Sequence, residues 1–158
     1  MKTLVAYFSA TGTTGMVATE LAKAINVDIY EIVPEIPYTN DDLNWRDKSS
    51  RSSVEMEDES CRPTISSAKI ENMDQYNLIF LGAPIWWYEM PRIVKSFLET
   101  YDLSGKKIVL FATSGSSGLG KTADTLKASA PGADIINGEV LNGTKTEDDL
   151  RDFAEKYL

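Results

Sequence analysis

At 158 residues, with 42% hydrophobic and 25% charged residues, the chain has ordinary globular composition and the length of a single domain, 1–158. Its 24 acidic against 16 basic residues give a net charge of −8, which argues against nucleic acid and anionic membrane as partners and is compatible with a basic protein surface. Histidine is absent and Cys61 is the only cysteine, which removes Ser-His-Asp and Cys-His catalysis, makes a zinc site hard to build and excludes an intrachain disulfide.

A lone cysteine fits a cytoplasmic home. The apolar run near the N-terminus is about six residues, too short for a secretory or membrane-spanning segment. Asn142-Gly143-Thr144 matches a glycosylation acceptor, a match without meaning unless the chain is secreted. If the protein performs chemistry, a bound cofactor is expected to carry it.

In chain order, Thr3 to Phe8 reads as a first strand, apolar on both faces as a central parallel strand is. Ser9-Ala10-Thr11-Gly12-Thr13-Thr14 follows and opens a helix whose stripe is Val17, Leu21 and Ile25 beside Ala18 and Ala22. The first N–H groups of a helix lack intrahelical partners and attract anions, and four hydroxyls here can add donors. No Lys or Arg lies between Ser9 and Gly15, so a phosphate would be held by neutral groups and the helix dipole. The alternative is a plain N-cap followed by a threonine-rich turn.

Val27 to Val33 alternates apolar and polar residues and reads as an edge strand ended by Pro34 and Pro37. From Tyr38 to about Asn72 the chain is mostly polar, with Ser49-Ser50-Arg51-Ser52-Ser53 at its centre. Thr39 or Asn40 is positioned to cap a helix over Asp41 to Arg46; the rest reads as a solvated, partly irregular excursion. The functional alternative is a lid, favoured by Tyr38 and Trp45.

Leu78 to Ala83 is a wholly apolar, central strand. It ends in Pro84-Ile85-Trp86-Trp87-Tyr88-Glu89-Met90-Pro91, where three consecutive large aromatics cannot all enter the core. Pro91 suits a first helical position before the stripe Ile93, Val94, Phe97, Leu98 and Tyr101. Lys106 to Ala112 is a fourth strand, followed by Thr113-Ser114-Gly115-Ser116-Ser117-Gly118 and a helix carrying Leu119, Ala123, Leu126 and Ala130. A short strand near Asp134 to Asn137 and a helix from about Glu147, capped by Thr146, complete the chain.

Alternating strands and helices predict a parallel sheet with helices on both faces, and ligands beyond the carboxyl ends of its strands. The three unusual loops all fall at that end. Ser9-x-Thr11-Gly12-x-Thr14 resembles the phosphate loop of flavodoxins, and Gly82-Ala83-Pro84-Ile85-Trp86-Trp87 with Thr113-Ser114-Gly115 is similar to short flavodoxin-like proteins over nearly the whole chain. The resemblance implies a flavodoxin-like three-layer α/β/α sandwich, a five-stranded parallel sheet of order 2-1-3-4-5 and an FMN cofactor. It implies that Ser9, Ala10, Thr11, Gly12, Thr13 and Thr14 hold the phosphate, that Pro84, Ile85, Trp86 and Trp87 line the isoalloxazine, and that Thr113, Ser114 and Gly115 meet its other edge.

The function so implied is electron transfer with a redox protein that docks through a basic surface. The alternative is an NAD(P)H-dependent FMN oxidoreductase acting on a quinone-like or other small acceptor. The third loop carries no aromatic residue, so one flavin face is open or covered by Trp45, Tyr38 or Tyr88. A remote rival is Gly115-Ser116-Ser117-Gly118-Leu119-Gly120-Lys121-Thr122, which fits a nucleotide-binding P-loop with Lys121 on phosphates and Thr122 on magnesium. Against it, no apolar strand downstream ends in a magnesium-binding Asp.

Overall fold

The computed structural model of the chain describes residues 2–114, 118–143 and 145–158. Strands β1 (Lys2–Tyr7), β2 (Asp28–Glu31), β3 (Tyr76–Pro84), β4 (Lys107–Thr113) and β5 (Asp134–Val140) form one parallel sheet in the order β2-β1-β3-β4-β5. Helices α1 (Thr13–Ile25), α2 (Arg51–Glu57), α3 (Arg92–Thr100), α4 (Thr122–Leu126) and α5 (Glu147–Glu155) complete the architecture among the described residues. This is the three-layer sandwich and strand order that the resemblance implies.

The strands sort their side chains by parity. Val5, Leu78, Phe80, Val109 and Phe111 pack with α1 and α5 on one face. Leu4, Ala6, Ile79, Leu81, Ile108 and Leu110 pack with α3 and α4 on the other. Central strands buried on both faces must be apolar at every position, and β1, β3 and β4 are so at their centres. Gly82 is fixed by this packing, because a Cβ there would lie 2.2 Å from the Phe111 ring.

Four expectations change. The edge strand β2 is shorter than Val27 to Val33, but the chain stays attached beyond it: Ile32 donates to the Tyr7 carbonyl at 2.7 Å, and Pro34 bridges antiparallel to Ile65. The last strand runs to Val140 rather than Asn137, because a bulge opposite Leu110 and Phe111 absorbs Gly138, where a Cβ would sit 2.3 Å from the Leu110 carbonyl. α4 is one short helix continued by a 3-10 turn over Lys127–Ser129, so Ala130 lies past its end.

The fourth change concerns residues 38–72. Thr39 does cap, but it caps only a turn: its Oγ1 accepts from Asp42 N at 3.2 Å and Asp42 Oδ2 accepts from Thr39 N at 2.9 Å, and no α-helix follows over Asp41 to Arg46. The helix is α2, which starts ten residues after Asp41, in the segment that reads as solvated. Its Ser50 side chain accepts from Ser53 N as the N-cap, and Ser50, Ser52 and Ser53 are buried, Ser53 donating to the Asp47 carbonyl at 2.8 Å. The serine run is an ordered cap and inner face.

Candidate functional site

The end of β1 delivers the chain to Ser9, whose Oγ accepts from the backbone N–H of both Gly12 and Gly15 at 3.0 Å. Gly12 bends the chain into α1 with φ +94, a left-handed conformation that a side chain would strain. The Gly12 carbonyl then accepts from Met16 N at 3.0 Å and starts the helix. The backbone N–H groups of Thr11, Thr13 and Thr14 meet no acceptor among the described residues, so they face outward as donors. Thr11 and Thr13 hold their exposed hydroxyls 3.4 Å apart over the same end.

Thr14 is different. Its hydroxyl is buried and pairs with the hydroxyl of Thr113 at 2.8 Å, joining the loop after β1 to the end of β4. Ile85 N donates to the Thr113 carbonyl at 3.2 Å and joins the loop after β3 to the same point. Beyond β5, Asn142 Oδ1 accepts from Ser114 N at 2.8 Å while its amide donates to the Ser114 carbonyl. The chain segments that follow four separate strands, β1, β3, β4 and β5, are thus tied together by short polar contacts.

Between them lies a cleft of about 340 Å³, lined by Ala10, Thr11, Thr13 and Thr14, by Pro84, Ile85 and Trp86, and by Thr113, Ser114, Asn142 and Leu43. It sits at the carboxyl edge of the sheet where β1 and β3 leave in opposite directions. Among the described residues no charged side chain lines it, in a chain whose net charge is −8. An anion at the α1 terminus therefore meets dipoles and hydroxyls with no carboxylate beside it to repel it.

The loop after β3 makes a two-residue turn: Trp86 N donates to the Glu89 carbonyl at 2.7 Å and Glu89 N to the Trp86 carbonyl at 3.1 Å. Trp87 and Tyr88 take φ +48 and +68, a pair of left-handed positions usually filled by Asn and Gly. Such positions cost a bulky residue on the order of 1–3 kcal/mol each. The turn sends neighbouring rings to different places. Trp86 lines the cleft, whereas Trp87 lines a separate groove and Tyr88 is exposed.

Trp86 is braced from behind. Its ring meets Phe8 at 5.9 Å and Tyr38 at 5.5 Å, both edge to face. Tyr38 donates to Glu55 Oε1 at 2.5 Å and carries the Arg51 guanidinium 3.8 Å above its ring, while Arg51 Nε pairs with Glu55 Oε2 at 3.0 Å. Burial, followed by the Glu55 carboxylate, pushes the Tyr38 hydroxyl well above its ordinary pKa, so it stays a donor. Arg92, only 1% exposed, donates to the Met56 carbonyl at 2.7 Å, the Asp58 carbonyl at 3.2 Å and Glu89 Oε1 at 3.0 Å. One buried cation thereby fastens α2 and the aromatic turn to α3.

Of the residues singled out from sequence, Ala10, Thr11, Thr13, Thr14, Pro84, Ile85, Trp86, Thr113 and Ser114 share this one cleft. Ser9 and Gly12 shape its first loop from beneath, Trp87 faces away from it, and Gly115 lies outside the described residues. Neither Trp45, Tyr38 nor Tyr88 lines it; the contribution from the 38–72 segment is Leu43. Leu43 and Asn142 carried no sequence signal of a site, and Asn142 spends its amide on Ser114. Residues 115–117 of the rival P-loop are outside the described set; Thr122 is fully buried and donates its hydroxyl to the Leu119 carbonyl.

The strand order, with the cleft at its switch point, defines an α/β protein of the doubly wound kind. A family model for flavodoxin matches residues 2–157, and the chain belongs to the flavodoxin family. No curated protein matches it. Among solved structures it is similar to a candidate flavoprotein from Bacteroides eggerthii DSM 20697, at 48% identity and TM-score 0.90 over 98% of this chain and 96% of that one. A second, from Bacteroides uniformis ATCC 8492, shows 44% identity and TM-score 0.90 over 98% and 97% of the two chains. A flavoprotein from Lactobacillus acidophilus NCFM, solved in complex with FMN, shares the fold at 22% identity and TM-score 0.66 over 86% and 90%. Among the described residues, no helix is long and apolar enough to cross a membrane.

Proposed function

We propose that the chain binds FMN in this cleft and serves as an electron-transfer flavoprotein. The observation that carries the reading is the joining of two complementary parts: free N–H groups and hydroxyls at the α1 terminus, opening into a slot walled by Ile85 and Trp86. Thr11 and Thr13 would hold the phosphate with the N–H groups of Thr11, Thr13 and Thr14. Trp86 and Ile85 would flank the ring, and the Ser114 and Asn142 pair would close its far edge. FMN, when bound, supplies the redox chemistry; the chain's residues orient it and exclude water from one side. A flavoprotein of the same fold that carries FMN supports the cofactor assignment. The net charge of −8 suits docking to a basic redox partner.

A second reading is an NAD(P)H-dependent oxidoreductase acting on a small acceptor. It is favoured by the lining of the cleft, which includes Ser114 and Asn142 but, among the described residues, no aromatic ring besides Trp86. Thr11→Val combined with Thr13→Val removes two exposed hydroxyls without touching the core, and is expected to weaken FMN binding at least about tenfold, read by quenching of flavin fluorescence. Undiminished FMN affinity in that variant would sink the phosphate assignment. Bleaching of the loaded protein by NAD(P)H alone selects the oxidoreductase, and reduction only by a basic redox protein selects the carrier.

A further inference from the structure

The aromatic turn has a second side. Trp87 leaves the FMN cleft to its neighbour and, with Trp45, walls an open groove of about 590 Å³ between the turn and the segment that carries α2. Met56 forms part of the groove and is itself buried, while Trp45 and Trp87 are 65% and 42% exposed. Two tryptophans left half in water around a concave surface mark a binding site, and Trp87 holds its place through a left-handed backbone. The volume is that of a small-molecule site.

Charge identifies the occupant. The groove is lined by Arg46 and Lys48 against one carboxylate, Glu57, so its wall is positive in a chain of net charge −8. The Arg46 guanidinium lies 5.0 Å from the centre of the Trp45 ring, which holds its planar donors at the groove. A guanidinium stacked in this way is suited to grip a carboxylate with two parallel hydrogen bonds while flanking indoles stack on a ring. We propose that this groove is a second ligand site, distinct from the FMN cleft, for a planar aromatic carboxylate. The groove and the cleft share no lining residue, so an occupant of one does not displace the occupant of the other.

The test is equilibrium dialysis of the full chain against 2-naphthoate, with and without saturating FMN, and against the uncharged analogue 2-naphthylmethanol. The expected result is saturable uptake of about one equivalent at or below about 1 mM, unchanged by FMN and at least about fivefold weaker for the alcohol. Trp45→Ala and Arg46→Gln, both at exposed positions, should each weaken uptake about fivefold, and Lys127→Gln on a distant surface should not. No saturable uptake, as for a face that takes only a macromolecule, would overturn the proposal. So would displacement by FMN, which places the probe in the first cleft, or unchanged affinity in Trp45→Ala and Arg46→Gln.

Discussion

The two walls of the cleft are held by opposite means. On the α1 side the loop over 9–14 is kept in shape by neutral contacts: a serine hydroxyl accepting two backbone N–H groups, a left-handed glycine, and a buried pair of threonine hydroxyls. On the Trp86 side the support is ionic and long range, running from Arg51 and Glu55 through Tyr38 and from Arg92 to Glu89 and two carbonyls of the α2 segment. The difference separates two tasks. In the proposed reading the uncharged first wall leaves no fixed carboxylate to compete with an anion, while the second holds a large ring still with charges that do not line the cleft.

Breaking the ionic wall should have the largest effect. Arg92→Leu leaves Glu89 unpaired and strips donors from the Met56 and Asp58 carbonyls, and is expected to cost about 3–5 kcal/mol in urea denaturation. A loss under about 1 kcal/mol would show that the guanidinium is not the fastening. The neutral wall should yield less. Thr14→Val strands the buried Thr113 hydroxyl at about 1–3 kcal/mol, whereas Thr14→Val with Thr113→Val should recover most of that loss. Strict additivity of the two substitutions would deny the pairing.

Smaller effects lie away from the cleft. Thr146→Ala removes a cap that accepts from Asp149 N at 3.1 Å and should cost about 1 kcal/mol, with FMN affinity unchanged. Six carboxyls are held below their ordinary values among the described residues, among them Asp28 by the Tyr76 hydroxyl, Glu99 by Arg62, and Asp149 by the Thr146 N–H. A depressed carboxyl adds stability above its unfolded value, 3.8 for Asp or 4.5 for Glu, and loses it as pH falls through the lower folded value. The urea midpoint should therefore be level between about pH 5 and 8 and drop below about pH 4. A midpoint unchanged down to about pH 3 would contradict those contacts.

The same division explains what could be read in the chain itself. The turn over 9–14 and the Thr146 cap were legible because their local partners lie within six residues, as Ser9 does from Gly15 and Thr146 from Asp149; the Thr14–Thr113 pair, 99 residues apart, left no such signal. The sheet was legible because strands buried on both faces must be continuously apolar. α2 was not, because its serines signal solvent locally while the helix is fixed by distant contacts such as Tyr38 to Glu55 and Arg92 to Met56, the latter 36 residues away. Asn142 and Leu43 escaped for the same reason: their place in the cleft depends on where β5 and the 39–44 turn arrive, which no short pattern encodes.

The most direct measurement compares the affinities of the purified chain for FMN and for riboflavin, which lacks the phosphate, by fluorescence titration at pH 7.5. If the uncharged α1 terminus is a phosphate cradle, FMN should bind at least about 100-fold more tightly, and free inorganic phosphate should weaken FMN rather than riboflavin. Equal affinity for the two flavins would contradict the account, because the donors at Thr11, Thr13 and Thr14 would then contribute nothing to the binding.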